Sequence, residues 1–176
     1  MSQLRSKRTE YIRTNNLWKN TVNEFGIFTI YWAEFEELLR KENISTKNNF
    51  AGIDDAVNFF LNKTNLEELN NIMDKIRKKL ITYYNNVGVG YLLGYIVGLF
   101  REEDYDNGQL KDKFREDLMK KYFIDKINNQ DKIKATLHVV YRIRNNLLHG
   151  NKIKANYNKQ NNLFKSINCF LQILIS

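Results

Sequence analysis

Apolar side chains recur at three- and four-residue steps along almost the whole chain, and no proline interrupts them. That period lays an apolar stripe along a helix, whereas a half-buried strand would alternate every second residue. Without proline, nothing in the sequence breaks a helix from within. Phe25, Phe28, Trp32, Phe35 and Leu39 carry the first such series, to about Lys41. Ile27, Ile30, Tyr31 and Leu38 widen its apolar surface, so this helix is expected to be buried on two sides. Residues 42–52 read as a polar loop, and Asp54 or Asp55 starts a short helix through Phe59, Phe60 and Leu61. Leu66, Leu69, Met73, Ile76, Leu80 and Tyr83 predict the next long helix. Thr21-x-x-Glu24 and Thr64-x-x-Glu67 have the spacing of capping boxes ahead of the two long series.

Residues 87–100, VGVGYLLGYIVGLF, are apolar on every side, but fourteen residues are too few for a bilayer, which takes about 20. Gly90, Gly94 and Gly98 fall on one face and admit close approach of another helix. A core helix or a dimer seam accounts for that spacing, and a membrane-seated hairpin is the weaker alternative. The run REEDYDNG, residues 101–108, reads as a solvated acidic turn without EF-hand spacing. Leu110, Phe114, Leu118 and Tyr122 mark a further helix with a lysine-rich second face. Leu163, Phe164, Ile167, Phe170, Leu171 and Leu174 mark the last one. The fold class is therefore all-α, a single bundle of six to seven helices with no strand pattern. Residues 1–17 form a basic arm or short helix ahead of a helical domain over residues 18–176.

With 176 residues and 43% hydrophobic side chains, the chain is long enough to bury a core. A formal charge of +8 favours a polyanionic partner, although a lysine- and asparagine-rich genome produces the same balance. Cys169 is the single cysteine, which rules out an internal disulfide and argues against a cysteine-based zinc site; packing in the core is its expected role. No apolar run follows the basic residues at the N-terminus, so a secretory signal is not read there and the cytoplasm is the expected compartment. No metal or cofactor is expected.

Residues 133–154, IKATLHVVYRIRNNLLHGNKIK, hold the chemistry. Ile133, Leu137, Val140 and Leu147 make the apolar stripe of a helix, and Arg144 stands in that series where another apolar residue is due. A guanidinium there must leave the packed face or find a partner, since an unpaired buried charge is costly. A neighbouring face is a polar ridge of Lys134, His138, Arg142, Asn145 and His149, and Gly150 is placed to end the helix. Asn145 and His149 are four apart and share a face, with Arg144 about 100° away. Guanidinium, amide and imidazole thus converge near one helix end. The first can clamp a phosphate and the last can exchange protons near neutral pH, a combination able to run phosphodiester chemistry without a metal. His138 lies about 16 Å from His149 along the helix, too far to be its catalytic partner within one chain. A buried arginine paired with a glutamate of the first long helix, plus a helix-terminal histidine, is the structural alternative.

The string Tyr141-Arg142-Ile143-Arg144-Asn145-Asn146-Leu147-Leu148-His149-Gly150-Asn151-Lys152 resembles the extended Arg-x4–6-His motif of HEPN domains. The resemblance is close over about a dozen residues and architectural elsewhere. It implies a small helical bundle, commonly dimeric, and a metal-independent endoribonuclease of toxin–antitoxin, phage-defence or CRISPR-linked systems. By that resemblance the substrate's 2′-hydroxyl attacks, leaving a 2′,3′-cyclic phosphate and a 5′-hydroxyl. His149 transfers protons, Arg144 stabilises charge on the phosphoryl oxygens, and Asn145 orients the phosphate or His149. Lys152, Tyr141 and Arg142 are candidate substrate contacts. One histidine cannot easily serve as both base and acid, and two-fold pairing of the motif helices would supply a second. Glu36-x3-Arg40 resembles an accessory pattern of some HEPN branches, although charge pairing on a solvated face gives the same spacing. Gly150-Asn151 departs from the x-Tyr of the branch paired with minimal nucleotidyltransferases, so an antitoxin of that type is not implied. The expected partners are RNA, a second copy of the chain, and an antitoxin or regulatory protein. The alternative is a catalytically silent HEPN-like dimer that binds RNA or a partner protein.

Overall fold

The computed structural model describes residues 24–44, 50–62, 65–86, 105–106, 109–110, 113–148 and 157–176. Among them the chain is all-α: α1 (Glu24–Lys41), α2 (Phe50–Leu61), α3 (Leu66–Asn86), α4 (Lys113–Phe123), α5 (Asn129–Leu148) and α6 (Tyr157–Ile175). Residues 1–23 and the glycine-bearing run at 87–100 lie outside the described residues, as do Thr21 and Thr64.

Helix ends are set by local chemistry. Asn65 caps α3: its Oδ1 accepts from the amides of Glu67 and Glu68 at 3.1 and 3.4 Å, so the cap is Asn65 rather than the expected Thr64. At α5, Asn128 Oδ1 accepts from the Asp131 amide at 2.8 Å while the Asp131 carboxylate accepts from Asn128 Nδ2 at 2.9 Å. Two helices stop on residues in the left-handed region, Asn43 (φ 59°) after α1 and Asp125 (φ 62°) after α4. The amides that follow, of Ile44 and Lys126, reach back to the carbonyls of Leu39 and Lys121, which satisfies acceptors left open by the helix end.

Three expectations are corrected. α2 begins at Phe50, inside the stretch read as a loop. Leu110 does not open α4; it pairs with Tyr105 in a two-residue antiparallel ribbon, β1 (Tyr105–Asp106) with β2 (Gln109–Leu110). Cys169 is exposed rather than packed in the core.

The core gathers where α1 meets α6 and where α5 meets α2, α3 and α4. Phe28 lies 5.6 Å from Phe164, and Phe35 stacks on Phe60 at 5.6 Å, tying α1 to α6 and to α2. These large side chains are fully buried, and each contributes roughly 1.5–3 kcal/mol by leaving water. α5 is the central helix: Ile133, Ala135, Leu137 and Val140 have no exposure, and neighbouring Thr136 and His138 are buried too. Arg77 and Lys132, both buried, share the Asp74 carboxylate at 3.5 and 2.6 Å, while Arg77 also meets Asp125 at 2.8 Å. This network links α3 to α5 and to the turn after α4, holding the motif helix from behind.

Candidate functional site

The site is built where α5 passes α1. Arg144 occupies an apolar position of the stripe and finds a partner there: Nη2 lies 3.5 Å from Oε1 of Glu36 on α1. Its Nη1 donates to the Asn145 Oδ1 at 3.0 Å. The same Glu36 oxygen accepts from Trp32 Nε1 at 2.6 Å, so one carboxylate is oriented by the indole below it and reached by the guanidinium across from it. Trp32 packs against Tyr141, one turn before Arg144, with ring centroids 6.1 Å apart. Trp32 and Tyr141 thereby form an aromatic floor under the charged pair.

The pair is only partly withdrawn from water. The Arg144 side chain retains 30% exposure and that of Glu36 36%. At that exposure, and with one contact of 3.5 Å rather than a bidentate pair, the interaction is worth roughly 0–1 kcal/mol. A guanidinium carries five donors, and Glu36 and Asn145 engage only two of them among the described residues. The arrangement therefore fixes Arg144 in direction while leaving donors for an oxyanion.

No family model, curated protein or solved structure matches this chain. The chemistry has to be argued from the residues themselves.

Of the residues singled out in the sequence, Tyr141, Arg144 and Asn145 are brought together. Arg142 is not with them. It is buried at 7% exposure on another side of α5, and His138 is buried at 2%. The expected polar ridge is thus packed over at these positions, because α5 is covered by α2, α3 and α4. His149 and Lys152 lie outside the described residues. Glu36 does enter the site, but its partner is not Arg40. Arg40 pairs with Glu37, as does Lys41 at 3.4 Å. Trp32 is the contributor that periodicity could not single out, since its place in the apolar series accounts for it fully. Among the described residues no cluster of three or more His, Cys, Asp or Glu is placed to hold a metal. Nor, among them, is any helix long and apolar enough to cross a membrane.

Proposed function

We propose that the protein is a metal-independent endoribonuclease of HEPN type. It cleaves RNA by attack of the 2′-hydroxyl on the adjacent phosphorus, leaving 2′,3′-cyclic phosphate ends. The observation that carries this reading is the partly exposed Arg144 guanidinium, aimed by Glu36 and Asn145 with donors to spare. In the proposed reaction Arg144 stabilises the charge that grows on the phosphoryl oxygens. Asn145 steadies the guanidinium through its Oδ1, leaving its amide nitrogen to orient a phosphate oxygen. His149 moves the proton, and Lys152 holds a neighbouring phosphate. A second copy of the chain, paired about a two-fold axis, supplies the second His149 that in-line displacement calls for. The cellular setting that fits is a toxin–antitoxin, phage-defence or CRISPR-linked system.

The test is incubation of purified protein with total RNA in EDTA, followed by mapping of the cut ends. Cyclic phosphates on the upstream fragments support the proposal, and cutting that requires magnesium contradicts it.

A second reading draws on the Glu36–Arg144 pair itself: a catalytically silent HEPN-like dimer in which that pair is structural and the protein binds RNA or another protein. Glu36→Gln distinguishes the two, since a purely structural pair predicts lost stability with no change in RNA handling.

A further inference from the structure

We infer that the seam between α3 and α6 is a docking face for the sugar–phosphate backbone of an RNA strand, built from Lys75, Lys78, Lys79 and Lys165. Lys75, Lys78 and Lys79 stand at helical neighbour positions on α3, spanning about 6 Å of its axis. Lys165 joins them from α6, a helix without a single aspartate or glutamate. Lys79 marks the junction: its Nζ donates to the Asn162 carbonyl at 2.6 Å and to Ser166 Oγ at 2.8 Å. Burial holds the Lys79 ammonium below lysine's ordinary value; Cys169 opposes that shift, and Lys165 and Lys75 add to it. Those last two are like-charge crowding, from Lys165 across the seam and from Lys75 one turn away on α3, which a polyanion relieves.

What sets this patch apart is that exposed lysines from two packed helices meet at one junction. Arg40 and Lys41 are neutralised by Glu37, Arg77 and Lys132 by Asp74, Lys120 by Glu116, and Arg144 by Glu36. Among the described residues, Lys75, Lys78 and Lys165 are exposed and pair with no carboxylate. A membrane surface fits less well, because interfacial binding needs apolar side chains to insert. The one large hydrophobic exposed among the described residues, Ile124, follows α4 and is not on the seam. Beside Lys79 the seam offers exposed Asn162 instead, a polar group suited to phosphate and ribose.

The choice of RNA over DNA rests on the proposed ribonuclease reading; the docking face itself does not depend on cleavage. The test therefore uses a fluorescent 2′-O-methyl RNA 20-mer, which lacks the attacking hydroxyl, and reads binding by anisotropy over a range of salt. The triple variant Lys75→Gln, Lys78→Gln, Lys165→Gln is expected to bind roughly tenfold or more weakly at 0.1 M salt. Its log–log salt slope should fall by about 2, at roughly 0.7 per single-strand phosphate contact. Arginine at the same three positions should retain affinity and slope, as should a charge-matched control, Lys41→Gln, Lys121→Gln, Lys126→Gln. Wild-type affinity and slope in the seam triple overturn the inference. So does wild-type binding to phosphatidylserine vesicles in place of the oligomer. If Arg144→Ala abolishes cutting of ordinary RNA while binding stays salt-steep, the two proposals stand separately.

Discussion

Arg144 and Glu36 are 108 residues apart in sequence, yet Arg144 Nη2 lies 3.5 Å from the Glu36 carboxylate, which the Trp32 indole also holds at 2.6 Å. Two consequences follow from that geometry. The carboxylate aims the guanidinium, and it competes with any phosphate for the same donors. Because the pair is about one-third exposed, competition is cheap and the guanidinium can change partners.

Glu36→Gln keeps an acceptor for Trp32 and removes the negative charge. The expected outcome is tighter binding of uncleavable RNA, about two- to fivefold, corresponding to a pair worth up to about 1 kcal/mol. The denaturation midpoint should scarcely move. Anisotropy titration checks the first expectation and urea unfolding the second; weaker RNA binding would contradict the competitive role.

Arg77 is the buried hub behind the motif helix, meeting Asp125, Asp74 and the Tyr122 carbonyl. Arg77→Ala strands Asp125, leaves Asp74 to Lys132 alone and opens a void. Since Asp74 and Asp125 retain 35% and 55% exposure, the cost is set at about 2 kcal/mol, below the 3–5 of a fully buried pair. Chemical denaturation reads it directly, and Arg77→Met should recover part of the loss by refilling the space.

Tyr122 gives a pH signature. Its ring is fully buried, and its hydroxyl lies near Thr136 without making a bond of normal geometry. Burial pushes the phenol far above tyrosine's ordinary 10.0, against the opposing pull of Thr136 and Arg77. Above pH 10 the unfolded chain sheds a proton that the folded chain keeps. Stability then falls as pH rises, by up to about 1.4 kcal/mol per unit from this group. Tyr122→Phe should flatten that alkaline limb and, by removing an unsatisfied buried hydroxyl, stabilise the fold by about 1 kcal/mol at neutral pH. Unfolding curves of both proteins between pH 7 and 11 decide the matter; identical pH slopes would contradict it.

These residues also mark where sequence periodicity stops being informative. The helices were legible because their apolar stripes are long, and the Arg144 anomaly was legible because a charge interrupts one of them. The partner of Arg144 was narrowed to a glutamate of the first helix by the cost of burying it alone. Which glutamate depended on tertiary placement, and local spacing favoured Arg40 for Glu36 when Arg40 in fact turns to Glu37. Periodicity placed Arg142 and His138 on a polar ridge, but it defines faces without saying which are covered. On a central helix nearly all of them are. The early start of α2 was hidden by Gly52, which argues against a helix on propensity, yet is buried in the first turn. Cys169 was placed in the core on the strength of its residue type, whereas its position on α6 faces outward.

The most direct measurement is the initial rate of RNA cleavage in EDTA by the wild type, Arg144→Ala and His149→Ala, with circular dichroism to show that each is folded. Loss of an electrostatic stabiliser or of the proton-transfer group is expected to slow cleavage about 100- to 1000-fold. The wild type should leave 2′,3′-cyclic phosphate ends. Folded Arg144→Ala or His149→Ala protein that cuts RNA at the wild-type rate would contradict the assignment.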